Sequence, residues 1–207
     1  MVYKSGVLMK VLFLGCHCDD IELGCGGTIN KHKDWDITCV CFSSCGPFGK
    51  LKNLKKQSKN ALNLLGVEKT KYLNYKTNNF WIHRQKIWEE LKKIELQLCP
   101  DLVFTHSADE HQDHTILFQE TIRNFKNKNI LCYKPSLVYG TNHYWNWIEP
   151  ISKINLNLKI KASEFFKNYI DKNYFNSDVI KSQARITGLN SGFEFAEGFQ
   201  VYRIVNL

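Results

Sequence analysis

The sequence predicts an α/β fold with a mostly parallel central sheet, because strand-like and helix-like segments alternate along it. A continuous, β-branched apolar run at 37–42 is typical of a strand that is buried on both faces, as the strands of parallel sheets are. The chain has 207 residues, of which 43% are hydrophobic, which is enough for a sizeable core. We therefore expect one domain that spans residues 1–207.

The apolar run at 11–14 predicts the first strand, and the full set of predicted strands is 10–15, 37–43, 71–75, 101–105, 136–139 and 199–205. Apolar residues at helical spacing predict helices at 25–33, 50–65, 83–98, 113–127, 161–170 and 177–187. The third helix ends before Pro100, and Gly66 and Gly188 suit the position that follows a helix C-terminus. The aromatic segment 140–160 is predicted to be irregular.

The net charge of +8 comes mostly from lysine, and the densest lysine run, at 50–59, shares an amphipathic helix with leucines. We interpret that run as a solvated helix face and predict no nucleic-acid partner, although the charge favours an anionic small-molecule substrate. No apolar tract reaches about 18 residues, so no membrane span is expected. The first apolar run is interpreted as a strand and not as a signal peptide, which predicts a cytoplasmic location and reduced cysteines. No feature predicts an oligomeric state.

Two clusters of metal-ligand residues each follow a predicted strand. The first is His17-Cys18-Asp19-Asp20 and the second is His111-Gln112-Asp113-His114. In an open parallel sheet, ligands bind at the carboxyl ends of the strands, so the clusters face each other if the two strands are neighbours. Two histidines and one aspartate can then bind a divalent metal and leave a position for water, which is the arrangement of a hydrolytic zinc site.

Spacing alone leaves alternatives within each cluster. Either Asp19 or Asp20 can bind the metal with His17 while the other carboxylate faces the substrate. His111 and His114 share one face of a helix start, so one can bind the metal while the other acts as an acid or an electrostatic stabiliser. Asp113 can orient a ring nitrogen, as carboxylates behind metal ligands do.

Several other features have two interpretations each. The glycines of 24–27 resemble a phosphate-binding turn weakly, and close packing at a helix start is the better interpretation. The pairs Cys16-x-Cys18 and Cys39-x-Cys41 are one residue shorter than a zinc knuckle, so we interpret them as core residues. The aromatic run 143–147 is either a platform for sugar rings or a hydrophobic plug.

Two isolated residues also have alternatives. Arg185 either binds a phosphate or carboxylate or pairs with Glu197. Among the isolated histidines, His106 is the strongest candidate for a functional role because it ends the fourth predicted strand.

The segment 17–28 resembles the first motif of the LmbE-like, or PIG-L, zinc-dependent N-deacetylases, and 111–114 resembles their second motif. Arg185 and the segment 195–199 resemble the closing segment of the family, which reads tyrosine-alanine-glutamate-alanine-phenylalanine. These matches span most of the chain in the family's order. This chain has Cys18 where the family usually has proline and Gly198 where it usually has alanine, and neither position is a proposed ligand.

The resemblance implies a Rossmann-like three-layer sandwich with zinc, or another divalent metal, at the ends of strands one and four. Matched by position, the metal ligands would be His17, Asp20 and His114. Asp19 would act as the general base on the metal-bound water. His111 would protonate the leaving amine or stabilise the oxyanion, and Asp113 would orient His111.

The implied activity is hydrolysis of the N-acetyl group of an amino sugar, either free or linked to a nucleotide, a lipid or a glycan. One alternative is hydrolysis of another N-acyl amide, such as a formyl group or a thiol conjugate. A second alternative is a non-enzymatic module that binds a nucleotide through the glycines of 24–27 and needs no metal.

Overall fold

A computed structural model describes residues 8–43, 53–108, 111–135, 145–169 and 171–205, in which seven strands and six helices form. The strands are β1 (Met9–Gly15), β2 (Trp35–Cys41), β3 (Lys69–Tyr72), β4 (Leu102–His106), β5 (Asn129–Tyr133), β6 (Trp147–Pro150) and β7 (Ala196–Arg203). The helices are α1 (Asp20–Lys31), α2 (Leu54–Leu65), α3 (Arg84–Leu98), α4 (Gln112–Asn124), α5 (Lys153–Ser163) and α6 (Ser177–Leu189). Among the described residues, no helix is both long enough and apolar enough to cross a membrane.

The strands form one sheet in the spatial order β3-β2-β1-β4-β5-β7-β6. The first five strands pair in parallel, whereas β7 is antiparallel to both β5 and β6. β1 therefore lies in the middle of the parallel part, with β2 on one side and β4 on the other. A strand in this position is covered on both faces, which explains why its sequence is a continuous apolar run.

Side chains of β1 alternate between two core layers, one on each face of the sheet. Val11 and Phe13 pack in the layer that α1, α2, α5 and α6 cover, whereas Leu12 and Leu14 pack in the layer beneath α3 and α4. Phe13 also stacks on Phe104 of β4, with ring centroids 4.4 Å apart. The predicted three-layer α/β sandwich with a mostly parallel sheet is therefore confirmed.

The first helix begins earlier than the predicted range 25–33. Helix α1 starts at Asp20, so the first cluster lies at the helix N-terminus and the glycines of 24–27 lie inside the helix. Glycine is a poor helix former in isolation, and this misplaced the predicted start. Tertiary contacts override that preference, since Gly24 lies against the ring of Tyr133.

One strand was missed and one predicted strand lies outside the described residues. β5 covers Asn129–Tyr133 and pairs with β4 along its whole length, although no element was predicted between the helix at 113–127 and the strand at 136–139. Its apolar part is only four residues long, which is too short for periodicity to separate a strand from a helix. The predicted strand at 136–139 falls within residues that the structure does not describe.

The segment 140–160 is not wholly irregular, because it contains β6 and most of α5. Helix α5 begins at Lys153, where the N-cap Ser152 forms a capping box with Asn155, and ends at Ser163, so the predicted helix at 161–170 was wrong. Apolar and polar residues alternate along α5, a pattern that hides the helical period. The remaining predicted boundaries agree with the structure within four residues.

Gly66 ends α2 as predicted, in the left-handed conformation with φ of +97°. Gly188, by contrast, lies inside the last turn of α6, which continues to Leu189. A Cβ atom at Gly188 would lie 2.8 Å from the backbone of Phe195. Close approach of two backbones, and not a helix end, is therefore the reason for glycine at this position.

We expect Gly24→Ala to lower the free energy of unfolding by about 1–3 kcal/mol in spite of the better helix propensity of alanine. A Cβ atom there would lie 2.2 Å from the ring of Tyr133, and that ring is fully buried with its hydroxyl donating to the Leu14 carbonyl. The matched control is Gly26→Ala, whose nearest contact would be 3.1 Å to Lys159 Cγ. Urea denaturation measures both, and equal stability of the two variants would contradict the expectation.

A buried carboxyl group links α1 to α2 and β3. Glu22 is 2% exposed, and its Oε1 accepts a hydrogen bond of 2.6 Å from Ser58, whose hydroxyl also lies 2.9 Å from that of Tyr72. Burial raises the pKa of Glu22 well above its usual range, and the hydrogen bond from Ser58 only partly opposes this. Because its pKa is raised in the folded state, Glu22 contributes to the free energy of unfolding at pH values below its ordinary pKa. This contribution is lost as the pH rises through the raised pKa.

We therefore expect Glu22→Gln to raise the free energy of unfolding at pH 7 by about 1 kcal/mol or more, since one pKa unit corresponds to about 1.4 kcal/mol. The gain should vanish at a pH below the ordinary carboxyl pKa. Denaturation with EDTA present measures this without a bound ion altering the local charge.

The matched control is Glu149→Gln. Burial raises the pKa of Glu149, but His32 and Lys31 outweigh that effect and lower it, so this variant should lose stability at pH 7. A loss of stability at pH 7 in Glu22→Gln would show that the Glu22 carboxylate is stabilising.

Candidate metal centre at the ends of two neighbouring strands

The two predicted clusters meet at the carboxyl end of the sheet. β1 and β4 are hydrogen-bonded neighbours in parallel, and the clusters follow them at 17–20 and 111–114. His17 Nδ1 and His114 Nε2 lie 3.3 Å apart although 97 positions separate them in the sequence. The prediction that the clusters face each other is therefore confirmed.

Three of the predicted ligands form a compact triangle of donor atoms. Asp20 Oδ2 lies 3.4 Å from His17 Nδ1 and 3.6 Å from His114 Nε2, and the two ring nitrogens are 3.3 Å apart. Tetrahedral bonds of about 2.0–2.1 Å to nitrogen or oxygen would place such donors about 3.3–3.4 Å apart. Two imidazoles and one carboxylate also suit zinc chemically, so this donor set fits a divalent ion with a position left for water.

The Asp20 carboxylate is kept charged and is held in place. It is 4% exposed, and its Oδ2 accepts the backbone N–H of His17 at 2.7 Å. Burial raises the pKa of Asp20, but the adjacent His106, His114 and His17 outweigh burial and hold that pKa well below its usual range. An ionised carboxylate is the form that binds a metal ion.

The carboxylate of Asp113 lies behind His17. It is fully buried, with Oδ2 3.3 Å from His17 Nε2 and 2.7 Å from the amide nitrogen of Asn78, while Oδ1 accepts the amide of Phe80 at 3.2 Å. Burial raises the pKa of Asp113, and these hydrogen bonds outweigh burial and lower it. Because the carboxylate engages Nε2 of His17, Nδ1 is the nitrogen that faces the other donors.

This arrangement differs in one respect from the role predicted for Asp113. The resemblance implied that Asp113 orients His111, and the contact between the two residues is that the Asp113 amide donates to His111 Nδ1 at 3.2 Å. The hydrogen bond of its carboxylate goes to His17 instead. His111 is the residue that precedes α4, so its ring caps that helix while the carboxylate points inward.

His111 lies at the rim of the donor triangle, and Asp19 directly precedes the predicted ligand Asp20 in the chain. The His111 ring centroid is 4.7 Å from those of both His17 and His114. Burial, together with these two histidines, lowers the pKa of His111. Asp19 is 8% exposed, precedes the first turn of α1, and does not cap that helix with its side chain.

Two residues that the sequence did not place among the ligands also reach the site. His106 is fully buried at the end of β4, and its Nε2 lies 3.1 Å from Asp20 Oδ2. Cys16 follows β1, and its Sγ belongs to a group of donor atoms with Asp20, His106 and His114. The place of His106 at a strand end indicated a functional residue in the sequence. Cys16 gave no such indication, because it has the pattern of a core residue, and its side chain does pack in the hydrophobic core.

The glycines of 24–27 are packing residues and not a phosphate-binding turn. Within α1, a Cβ atom at Gly24 would meet Tyr133, one at Gly26 would meet Lys159, and one at Gly27 would meet Ile151 and Glu197. Side chains of the same protein therefore fill the space that a phosphate would need. Close packing was predicted correctly, while the predicted helix start at these glycines was wrong.

Glu197 of the closing segment fastens β7 to α1. Its carboxylate is buried and accepts the amides of Gly27 and Thr28 at 2.9 and 2.7 Å, the Thr28 hydroxyl at 2.6 Å and the Lys159 ammonium at 2.6 Å. Arg185 does not pair with it. Arg185 instead donates to the Glu194 carbonyl at 3.0 Å.

The aromatic run at 143–147 falls partly outside the described residues, which exclude His143 and Tyr144. Trp147 packs against the core, and the indole of Trp145 lies over Gly198, where a Cβ atom would be 2.4 Å from the ring. This contact explains why the chain has glycine at 198 where the family usually has alanine.

Solved structures with this fold include a deacetylase, a conserved protein and a hydratase. N,N′-diacetylchitobiose deacetylase from Pyrococcus horikoshii is 23% identical with a TM-score of 0.74, and the match covers 93% of this chain and 83% of that one. Conserved protein TT1542 from Thermus thermophilus is 19% identical with a TM-score of 0.77, and the match covers 97% of each chain. The 4-carboxy-2-hydroxymuconate hydratase GalB from Pseudomonas putida KT2440 is 14% identical with a TM-score of 0.76, and the match covers 97% of this chain and 99% of that one. These similarities establish the fold.

Comparison of sequences bears on the family of the chain as well as on its fold. The uncharacterized deacetylase YaiS of Escherichia coli K12 is 32% identical over 122 residues, which is 54% of this chain and 65% of that protein. The profile of the PIG-L family, described as GlcNAc-PI de-N-acetylase, matches residues 12–125, a range that includes both ligand clusters. More than half of the chain thus matches one family in order, and the chain belongs to the PIG-L, or LmbE-like, deacetylase family.

Proposed function

We propose that the protein is a metal-dependent hydrolase that removes the N-acetyl group of an amino sugar. The observation that carries this proposal is the donor triangle of His17, Asp20 and His114, with His111 at its rim. Family membership supports deacetylation, and the similar P. horikoshii enzyme is a deacetylase of an acetylated sugar. We further propose that one domain spanning the chain carries the activity.

Zinc is the ion that we propose for the triangle, with another divalent ion as the alternative. Two imidazoles, one carboxylate and a position left for water are the usual composition of a catalytic zinc site. A bound ion would lower the pKa of its water to about 7 and polarise the acyl carbonyl.

Asp19 is the proposed general base. The carbonyl of Asp19 accepts the amide of Leu23 at 3.1 Å, so its backbone is fixed next to that of Asp20. A carboxylate beside the ligands can take a proton from water as the oxygen attacks the acyl carbon. The same proton then passes to the amide nitrogen as the carbon–nitrogen bond breaks, which yields acetate and a free amine.

His111 is proposed to stabilise the charge that develops on the acyl oxygen. Its Nδ1 accepts the Asp113 amide, so the neutral ring carries its proton on Nε2. The pKa of His111 is already lowered by burial and by His17 and His114, and a nearby cation would lower it further. A neutral imidazole is a good hydrogen-bond donor and a very weak acid, which favours this role over protonation of the leaving amine.

The alternatives from the sequence are not equally supported. Hydrolysis of another N-acyl group would use the same residues, and a panel of acetyl, formyl and thiol-conjugate amides would separate the two. A nucleotide-binding module at the glycines of 24–27 is disfavoured, because Tyr133, Lys159 and Glu197 fill the space beside them. An anionic substrate, a cytoplasmic location and the lack of a nucleic-acid partner stay predictions from the sequence.

We expect Asp19→Asn to lower kcat for N-acetyl amino sugars by about 10²–10⁴-fold, the usual contribution of general base catalysis, while the metal content is unchanged. Release of free amine measures turnover, and mass spectrometry measures metal. The matched control is Asp34→Asn, since the Asp34 side chain is 80% exposed and lies outside the site. Full turnover by metal-loaded Asp19→Asn would rule out Asp19 as the base.

We expect about one zinc ion per chain in the purified protein and loss of that ion in His114→Ala, because the variant lacks one of three protein ligands. The matched control is His83→Ala, on the 3₁₀ helix Phe80–His83, which should keep its metal. A chelator should abolish deacetylation by the parent protein, and added zinc should restore it. Equal metal content in His114→Ala and the parent would contradict the proposed ligand set.

A further inference from the structure

A short turn after β3 contains a residue other than glycine in the left-handed conformation. The Asn79 amide donates to the Lys76 carbonyl at 3.2 Å, so residues 76–79 form a turn whose third residue is Asn78. Asn78 is exposed and has φ of +64°. Among residues with a side chain, asparagine is one of the few that adopt this conformation readily. The backbone conformation of Asn78, and not the packing of its side chain, is therefore the feature to explain.

The turn directs two backbone amides at one carboxylate. The Asn78 amide donates to Asp113 Oδ2 at 2.7 Å, and the Phe80 amide donates to Asp113 Oδ1 at 3.2 Å. Asn79 lies between them with φ of −131° and ψ of 13°. Backbone amides that follow one another in such a turn form a concavity that binds anions. In this protein the anion is a side chain of the chain itself.

The turn is held by its surroundings on both sides of Asn78. Gln112 Nε2 donates to the Asn78 carbonyl at 2.9 Å, and the Thr77 hydroxyl lies 3.1 Å from that of Ser43. Phe80 is fully buried. A costly backbone conformation persists only where the surrounding structure determines it, and such residues cluster at functional sites.

The carboxylate that the turn holds is the one behind His17. Asp113 Oδ2 lies 3.3 Å from His17 Nε2, and the pKa of Asp113 is lowered, so this group is ionised. An ionised carboxylate only accepts hydrogen bonds, so the proton of the neutral His17 ring is on Nε2 and its lone pair is on Nδ1. That nitrogen lies 3.3 Å from His114 Nε2 and 3.4 Å from Asp20 Oδ2. The position of the Asp113 carboxylate therefore decides which nitrogen of His17 can bind an ion.

We propose that Asn78 is a positioning residue, whose left-handed backbone holds the Asp113 carboxylate so that His17 keeps its proton on Nε2 and its lone pair on Nδ1. Asn78 acts through Asp113 and His17, and not by contact with an ion or a substrate. The use of Nδ1 as a metal ligand rests on the proposed function, whereas the tautomer of His17 is a property of the protein without metal.

The test compares Asn78→Gly with Asn78→Val in the full chain. Both variants lack the carboxamide, but glycine adopts the left-handed conformation without cost, whereas a β-branched residue strongly disfavours it. The matched control is Cys99→Val, because Cys99 is also left-handed, with φ of +45°. It follows α3 and precedes β4, so it lies at the edge of the sheet opposite to the site.

The first measurement is the tautomer of His17 in the metal-free protein, from the ¹⁵N shifts of its ring at a pH at which the ring is neutral. His17→Gln identifies the signals. We expect the tautomer with the proton on Nε2 in the parent, in Asn78→Gly and in Cys99→Val. We expect a mixture of both tautomers in Asn78→Val, because a displaced carboxylate no longer selects one nitrogen.

Two results of this measurement would overturn the proposal. One is a parent protein in which His17 carries its proton on Nδ1. The other is a single, unchanged tautomer in Asn78→Val. Asn78→Ala disfavours the left-handed conformation less strongly and takes the place of Asn78→Val if that variant does not fold.

The second measurement is zinc affinity, by competition with a chelating dye. We expect Asn78→Val to bind zinc about 5–30-fold more weakly than Asn78→Gly, the range that the cost of a left-handed residue allows. Asn78→Gly and Cys99→Val should match the parent. With Asp113→Ala present, the difference between valine and glycine at position 78 should disappear. A difference that persists there, or equal affinities of Asn78→Val and Asn78→Gly, would contradict a role through Asp113.

The first measurement needs neither metal nor turnover, so it is read independently of deacetylase activity. The expected tautomers in a protein that hydrolyses no N-acetyl sugar would support the positioning role and count against the proposed function alone.

Discussion

The pairing of β1 with β4 is the constraint on which the site depends. Each cluster by itself offers donors on one short segment, and neither can surround an ion. The parallel pairing places the two strand ends side by side, which brings His17 and His114 to 3.3 Å across 97 positions of sequence. The stacked rings of Phe13 and Phe104 belong to the core beneath that pairing, so the site and the core share one support.

Helix α1 is the second support, since it begins with Asp20 and its glycines let neighbouring groups approach closely. Glu197, 170 positions after Gly27, accepts two amides of that helix and pairs with Lys159 of α5. A buried carboxylate with four donors is well satisfied, and the absence of a side chain at Gly27 makes room for it. The closing segment of the chain thus contributes to the position of the first cluster without lying in it.

Asp20 is the residue that the histidines of the site have in common. Its buried carboxylate lies within 3.6 Å of a ring nitrogen of His17, His106 and His114. The proposed open set of ligands, His17, Asp20 and His114, has the composition of a hydrolytic metal site. The hydratase GalB has the same fold, so the fold by itself does not specify a reaction.

The alternation of strands and helices, the two clusters and the resemblance to one family could be read from residue order, because these features depend on local spacing. The same local reasoning missed β5, whose apolar run is short, and misplaced α1 and α5, whose glycine content and alternating pattern conceal helices. The family resemblance implied that Asp113 orients His111, which lies two positions before it in the sequence. Only the tertiary structure decided that the Asp113 carboxylate bonds to His17 and that Cys16 and His106 lie beside Asp20, because strand pairing sets the distances between residues about ninety positions apart.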